Sequence, residues 1–80
     1  MDRNQLRTVV IDALRRIAPE VEPEDLRDDR PLRNQVDLDS MDWLNFLLAL
    51  HEHFAVDIPE AHYAKLVTLG DVVGYLEAKV

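Results

Sequence analysis

The segment from Asp37 to Phe54, DLDSMDWLNFLLALHEHF, joins a capping sequence to an apolar run of helical period. Asp39 and Ser40 are residue types that satisfy the free backbone N–H groups at the start of a helix. The apolar residues that follow recur at three- and four-residue steps, which is typical of an amphipathic helix. The segment therefore predicts a helix over about 40–54, which starts at Ser40.

The two sides of this helix differ in a way that bears on function. At about 100° per residue, one side is wholly apolar and is predicted to face the core; it holds Trp43, Phe46, Leu47, Leu50 and Phe54. The opposite side mixes apolar and polar residues; it holds Met41, Leu44, Asn45, Leu48 and Glu52. A solvated side has no need of three large apolar residues. It is therefore a candidate contact surface, unless another element of the fold covers it.

Three further helices are predicted along the chain, and no strand pattern is found. The first has an apolar stripe and ends before Pro19, with Asp2 and Gln5 placed as a capping box; the stripe is Leu6, Val9, Val10, Ala13, Leu14 and Ile17. A short helix opens at Ile58-Pro59-Glu60, after the helix at 40–54 frays near residues 55–57. Thr68 and Asp71 cap the last helix; its buried stripe is Leu69, Val72, Val73 and Leu76, flanked by Tyr75.

Residues 19–38 are predicted to form a long loop. Three prolines and many charges interrupt any period, and a turn is expected at 23–28. Four apolar residues are expected to hold the loop against the core: Leu26, Leu32, Val36 and Leu38. Loops of this length are more often functional than idle. The expected architecture is an all-α four-helix bundle, with three longer helices, one short helix and one long crossing loop.

The charge of the chain restricts its partners. The net charge is −7, and residues 19–42 carry nine acidic against three basic residues. An acidic band that runs up to Ser40 argues against nucleic acid and favours basic protein surfaces, although acidity can also simply keep a small protein in solution. No apolar run is long enough to span a membrane, and the absence of cysteine excludes thiolate metal sites and weakly favours the cytoplasm.

Ser40 can be interpreted as a helix cap or as a hydroxyl that another protein modifies. A catalytic serine needs a base, and His51, His53 and His62 form no recognisable triad with it. A serine that is a substrate needs no base of its own, and the N–H groups at a helix start suit a phosphoryl group. The sequence therefore predicts no catalytic residue and no metal site.

The order of these elements resembles that of the acyl carrier proteins and, more broadly, of the phosphopantetheine-binding carriers of fatty acid, polyketide and peptide synthesis. The resemblance spans essentially the whole chain and rests on DSMD, the pattern D-x-L-x-F-x-x-A-L-x-E-x-F and DIPE. It implies that residues 1–80 form a single acyl carrier domain of the acyl-carrier bundle type. It also implies that Ser40 carries 4'-phosphopantetheine, loaded from coenzyme A by a phosphopantetheinyl transferase, with acyl groups held on the arm as thioesters.

The resemblance also assigns roles around the serine. Asp39 and Met41 flank the attachment site, and further partners are expected to be an acyl-ligase, synthase or acyltransferase with a basic docking surface. The residues implied in docking are Asp39, Met41, Asp42, Leu44, Leu48 and Glu52. Trp43 stands where the family often has a smaller residue near the acyl pocket; it is either a core residue or a restriction on the length of the cargo.

Several positions depart from the family pattern. Asp37 replaces a frequent glycine, Asn45 an acidic residue, and His51-Glu52-His53 a glutamate-rich run. The docking side is therefore less negative than in a general fatty acid carrier. The histidines are interpreted as solvated helix residues or as the source of a pH-sensitive contact.

The expectation is a stand-alone, monomeric, non-catalytic carrier with a specialised role in lipid, polyketide or related synthesis. Met1 and the short tails favour this over an aminoacyl or peptidyl carrier cut from a larger synthase. The alternative from another class is an unmodified acidic adaptor in which Ser40 is only a cap.

Overall fold

The computed structural model describes all 80 residues and contains helices but no strands, apart from an isolated bridge between Pro31 and Thr68. Its α-helices are α1 (Arg3–Ile17), α2 (Leu32–Gln35), α3 (Ser40–Phe54) and α4 (Leu69–Lys79). Two 3-10 helices, Pro23–Asp25 and Glu60–Lys65, lie in the connections. The predicted all-α class and the three longer helices are confirmed. None of the helices combines the length and the apolar character needed to cross a bilayer.

Helix α1 packs against both α3 and α4. It starts with the predicted capping box, in which the Gln5 N–H donates to the Asp2 carboxylate at 2.8 Å and the Asp2 N–H donates to the Gln5 side chain at 2.9 Å. Its buried residues are Leu6, Val10, Ile11, Ala13 and Leu14. The burial of Ile11 was not predicted, while Val9 is only half-buried. A helix that lies between two others buries a wider arc than the single stripe of a surface helix.

The core consists of 21 buried residues, all of them apolar, and no polar or charged residue is buried. Phe46, Leu47 and Leu50 of α3 are at most 1 % exposed, as are four residues of α4. Each such side chain contributes about 1.5–3 kcal/mol by leaving water. The opposite side of α3, which holds Met41, Leu44 and Leu48, is exposed.

The connection between α1 and α3 is more ordered than a loop, because it contains α2, which was not predicted. Gln35 fastens this turn, since its amide donates to the carbonyl oxygens of Arg27 and Arg30 at 2.8 and 2.9 Å. The Leu32 N–H donates to the Val67 carbonyl at 2.9 Å and so joins α2 to the segment before α4. Leu26, Leu32, Val36 and Leu38 are buried, as predicted.

Asp28 connects this segment to two helices. Its carboxylate accepts hydrogen bonds from Arg7 of α1 through Nη2 at 2.9 Å and Nε at 3.0 Å. Its backbone carbonyl accepts from the Gly70 N–H of α4 at 3.0 Å. Asp28 thus holds the connection against both α1 and α4, and this fixes the path by which the chain reaches α3.

Substitution of the two glycines of α4 by alanine should have opposite effects. A Cβ atom at Gly70 would lie 3.0 Å from the Asp28 carbonyl oxygen, whereas a Cβ at Gly74 would meet nothing within 4 Å. We expect Gly70→Ala to lower the free energy of unfolding by about 1–3 kcal/mol, since the Asp28 backbone must move. Gly74→Ala should raise it by up to about 1 kcal/mol, because alanine is the better helix former. Urea unfolding measures both changes, and a neutral Gly70→Ala would contradict the close packing at Asp28.

The sequence predicted that α3 frays over residues 55–57. In the structure the helix instead ends at a single residue. Ala55 adopts the left-handed conformation with φ 54°, a role that glycine fills more often. The His51 side chain stabilises this end, since its Nδ1 lies 2.7 Å from the Val56 carbonyl oxygen. A carbonyl oxygen can only accept, so Nδ1 carries the proton. The short helix predicted from residue 58 is present as the 3-10 helix Glu60–Lys65.

Candidate functional site

Ser40 is the first residue of α3 and is exposed. It is the only serine of the chain. The cap is Asp39, whose carboxylate accepts from the Asp42 N–H at 2.8 Å. The Thr8 and Thr68 hydroxyls are engaged with backbone groups of their own helices, whereas the Ser40 hydroxyl takes part in no hydrogen bond of the chain. The structure therefore leaves Ser40 free for chemistry and does not use it as the cap.

In the segment before Ser40, every second side chain is buried in the core. Val36 and Leu38 are buried, whereas Asp37 and Asp39 are exposed. The backbone is extended at Val36 and Asp39, and this places successive side chains on opposite sides. The buried pair fixes the position of the start of α3, and two carboxylates are left facing solvent beside the hydroxyl.

The start of α3 suits a phosphoryl group attached to Ser40. The N–H groups of Asp42 and Trp43 are satisfied by Asp39, while those of Ser40 and Met41 have no acceptor within the helix. Free N–H groups and the positive end of the helix dipole favour an anion at this position. The residues present thus fit a phosphodiester on the Ser40 oxygen.

The cap assignment gives a stability prediction. We expect Asp39→Ala to lower the free energy of unfolding by about 1 kcal/mol, because one N–H group at the helix start loses its acceptor. Ser40→Ala should change it by less than about 0.5 kcal/mol, since an exposed side chain without partners is removed. Urea unfolding of both variants is the measurement. Equal losses in the two would mean that Ser40 also caps the helix.

The outward side of α3 carries a row of exposed apolar residues. Met41, Leu44 and Leu48 are 64, 45 and 53 % exposed, so the prediction that no other element covers them is confirmed. Asn45 and Glu52 on the same side are exposed as well. Asp39 is exposed at the Ser40 end of the row, and Asp42 there is half-buried. Of the six residues predicted for docking, five lie on α3 and Asp39 is its cap, so the structure places them along one helix that starts at Ser40.

Two open grooves lie between α3 and the 3-10 helix Glu60–Lys65. The serine groove, of about 510 Å³, is lined by Pro31, Arg33, Asn34, Leu38, Trp43, Tyr63, Ala64, Leu66 and Val67. The distal groove, of about 450 Å³, is lined by Leu47, Leu48, His51, Asp57, Ile58, Pro59 and Tyr63. Leu38 and Trp43, two residues before and three residues after Ser40, line the serine groove, whereas Ser40 itself lines neither groove.

The three histidines have separate contacts. His51 is half-buried and tied to the Val56 carbonyl, whereas His53 is exposed and contacts Phe54 edge-on, with ring centroids 4.9 Å apart. The His62 Nδ1 forms a hydrogen bond with the Tyr75 hydroxyl at 2.8 Å. The interpretation as solvated residues therefore holds for His53 and not for His51. No group of three His, Asp or Glu side chains is close enough to hold a metal ion.

Comparisons with known proteins agree with this geometry. The family described as "Phosphopantetheine attachment site" matches residues 4–76. The acyl carrier protein of Wolinella succinogenes is 31% identical over 74 residues, which cover 92% of this chain and 91% of the relative. Those of Campylobacter curvus and Helicobacter hepaticus are 32% and 34% identical, over 92% and 91% of this chain and 90% of each relative.

The chain belongs to the acyl carrier protein family. The resemblance stated from the DSMD motif and the order of helices is thereby confirmed, and the prosthetic group of this carrier is covalently attached 4'-phosphopantetheine. The acidic adaptor, which needed Ser40 only as a cap, fits neither the family nor the observed cap, Asp39.

Two features of this carrier were missed in the sequence. Arg33 lies on α2 and lines the serine groove, and Tyr63 lines both grooves. Arg33 falls within the loop predicted at residues 19–38, because the four residues of α2 are too few to show a helical period. Tyr63 lies on a helix of six residues, which is also too short to show a period.

Proposed function

We propose that Ser40 is the attachment residue for 4'-phosphopantetheine and that residues 1–80 act as a single, monomeric carrier domain without catalytic activity. One observation carries the proposal: the only serine of the chain is exposed, unpaired and placed at the start of a rigid helix. The match of the family over residues 4–76 supports one domain. The family's prosthetic group supplies a thiol that holds an acyl group as a thioester.

In the loading step, the Ser40 oxygen forms a bond to phosphorus, and a P–O bond of coenzyme A breaks to release the nucleotide. The serine proton passes to a base of the transferase, since no side chain of this chain is bonded to the hydroxyl. The free N–H groups of Ser40 and Met41 stabilise the charge of the new phosphodiester. Val36 and Leu38 hold the hydroxyl in place, because both are buried on the core.

Docking is proposed to use the outward side of α3. Asp39 and Asp42 attract a basic enzyme surface, and electrostatic attraction mainly speeds the encounter. The fit is provided by the exposed apolar residues Met41, Leu44 and Leu48, and Glu52 completes the surface at the distal end. A patch of this size gives weak and transient complexes, as a shuttle between enzymes requires.

We propose a specialised role in lipid, polyketide or related synthesis on the composition of this surface, and a cytoplasmic location on the absence of cysteine. Asn45 and His53 are exposed where an acidic residue and a glutamate-rich run are usual, so a general fatty acid machinery meets less negative charge here. An acyl-ligase, synthase or acyltransferase dedicated to this carrier would be adapted to that surface.

The proposal is tested by incubating the purified chain with coenzyme A and a broad-specificity phosphopantetheinyl transferase. Intact mass should show the gain of one phosphopantetheine group and no more, because the chain offers one serine. Peptide mapping should place the group on Ser40. An unchanged mass, under conditions in which a control carrier is fully loaded, would refute the proposal.

A further inference from the structure

We infer that the Gln35 side chain is a positioning residue for the attachment hydroxyl: it fixes the end of α2, from which the chain runs to Ser40, and so holds the serine in place for loading. The inference rests on the proposed attachment to Ser40. The buried residues Val36 and Leu38 anchor this segment on the core, and Gln35 sets the point from which the segment starts.

The Gln35 amide binds the backbone of the connection between α1 and α2 at two residues. Its Oε1 accepts from the Arg27 N–H at 2.6 Å, and its Nε2 donates to the Arg27 and Arg30 carbonyls at 2.8 and 2.9 Å. The two bonds to Arg27 are the pair that a residue of a neighbouring antiparallel strand would make. One side chain thus joins the end of α2 to residues eight and five positions earlier in the chain.

No other group of the chain replaces these bonds. Arg27 and Arg30 take part in no backbone–backbone hydrogen bond, so Gln35 is the internal partner of all three backbone groups. The arrangement requires one acceptor and two donors on a single planar group, which a side-chain amide provides. A carboxylate of the same shape could accept from the Arg27 N–H, but it would place an acceptor against two carbonyl oxygens.

The segment between α2 and Ser40 has little hydrogen bonding of its own. Residues 37 and 38 take part in no backbone–backbone hydrogen bond, and the backbone is extended on either side of them, at Val36 and Asp39. A shift at the end of α2 is therefore passed along the segment to Ser40. Because successive side chains of an extended segment point to opposite sides, the position of its start decides which of them face the core.

Loss of the Gln35 bonds should affect the chemical step of loading more than docking. Docking is proposed for the outward side of α3, to which Gln35 does not belong, so a carrier with a displaced hydroxyl still binds the transferase but reacts slowly. A misplacement of about 1 Å can cost about 10²-fold in rate. The kcat of loading should therefore fall at an unchanged KM. A carrier that is only less stable gives the opposite pattern, since its smaller folded fraction raises the apparent KM and leaves kcat at saturation unchanged.

The test measures loading from coenzyme A over a range of carrier concentrations for the wild type, Gln35→Glu and Gln35→Met. Gln35→Glu keeps the shape of the side chain and loses both donors, whereas Gln35→Met loses all three bonds. We expect kcat to fall by about tenfold in both, with KM within about twofold of the wild type. The control Asn4→Asp also turns an amide into a carboxylate, at an exposed residue of α1, and should load as the wild type does.

Hydrogen exchange gives a second readout that does not depend on the transferase. The N–H groups of Asp42 and Trp43 are bonded to Asp39 at the start of α3, whereas Leu50 lies further along the same helix. In the Gln35 variants, exchange at Asp42 and Trp43 should speed up by about tenfold relative to Leu50, because the segment that carries the cap is looser and the first turn opens separately. A general loss of stability would speed up exchange at Leu50 at least as much.

The outcomes separate the two levels of the argument. A wild-type chain that accepts no phosphopantetheine contradicts the attachment to Ser40, and the inference falls with it. A wild type that loads, with Gln35 variants that keep its kcat or differ in KM alone, overturns the inference and leaves the attachment standing. If circular dichroism shows that neither variant folds, Gln35 is required for the fold itself, and the positioning role is overturned as well.

Discussion

Ser40→Ala should abolish loading by the phosphopantetheinyl transferase entirely, with no mass gain even after prolonged incubation at high enzyme concentration. The methyl side chain has no oxygen to form the phosphodiester, and no second serine exists to replace it. The variant should remain folded, because the Ser40 hydroxyl has no partner in the chain and Asp39 provides the cap.

A matched control uses another hydroxyl on the surface. Thr8 is exposed on α1 and donates to the Asn4 carbonyl at 3.0 Å. Thr8→Ala should load at the rate of the wild type. Circular dichroism and urea unfolding verify that Ser40→Ala is folded, so that the loss of loading is chemical. A residual mass gain in folded Ser40→Ala would show that the group is attached elsewhere.

Leu44→Glu should reduce the kcat/KM of loading by about five- to tenfold. Leu44 is 45 % exposed and lies one turn after Ser40, at the centre of the apolar row. A carboxylate there would lose its water in the complex without gaining a partner, and residues at the centre of an interface often account for more than 1 kcal/mol, or roughly five- to tenfold. The transferase rate at several carrier concentrations is the measurement.

Two further variants separate the causes of such a loss. Leu44→Met keeps an apolar side chain of similar volume and should stay within about threefold of the wild type. Val80→Glu makes the same change in net charge at an exposed residue after α4 and should have no effect. If Val80→Glu slowed loading as much as Leu44→Glu, the effect would come from overall charge and not from this surface.

Much of this molecule could be predicted because its signals are local. The capping pairs Asp2–Gln5 and Thr68–Asp71 are present as predicted, and the two sides of α3 are buried and exposed as the helical period indicated. Such features depend on residues three or four positions apart, which a sequence displays directly.

The features that were missed depend on distant residues or on fine backbone geometry. Helix α2 is one turn long, and the groups that hold it, the Arg27, Arg30 and Val67 carbonyls, lie outside its own four residues. The choice of a 3-10 over an α-helix at Glu60–Lys65 is a difference of one residue in the hydrogen-bond step. The left-handed Ala55 was not predicted either, since glycine is the usual residue at this position.

Helix α3 ends at a defined residue, so the distance between its two ends is fixed. From Ser40 to Glu52 the helix rises by about 18 Å, at about 1.5 Å per residue. The His51 link to Val56 and the turn at Ala55 stabilise the last turn of the helix, which carries Glu52. An enzyme that contacts both Ser40 and Glu52 must therefore place its two contact sites at this distance. One inserted residue would swing the distal contacts by about 100° around the axis and spoil the match without touching the serine.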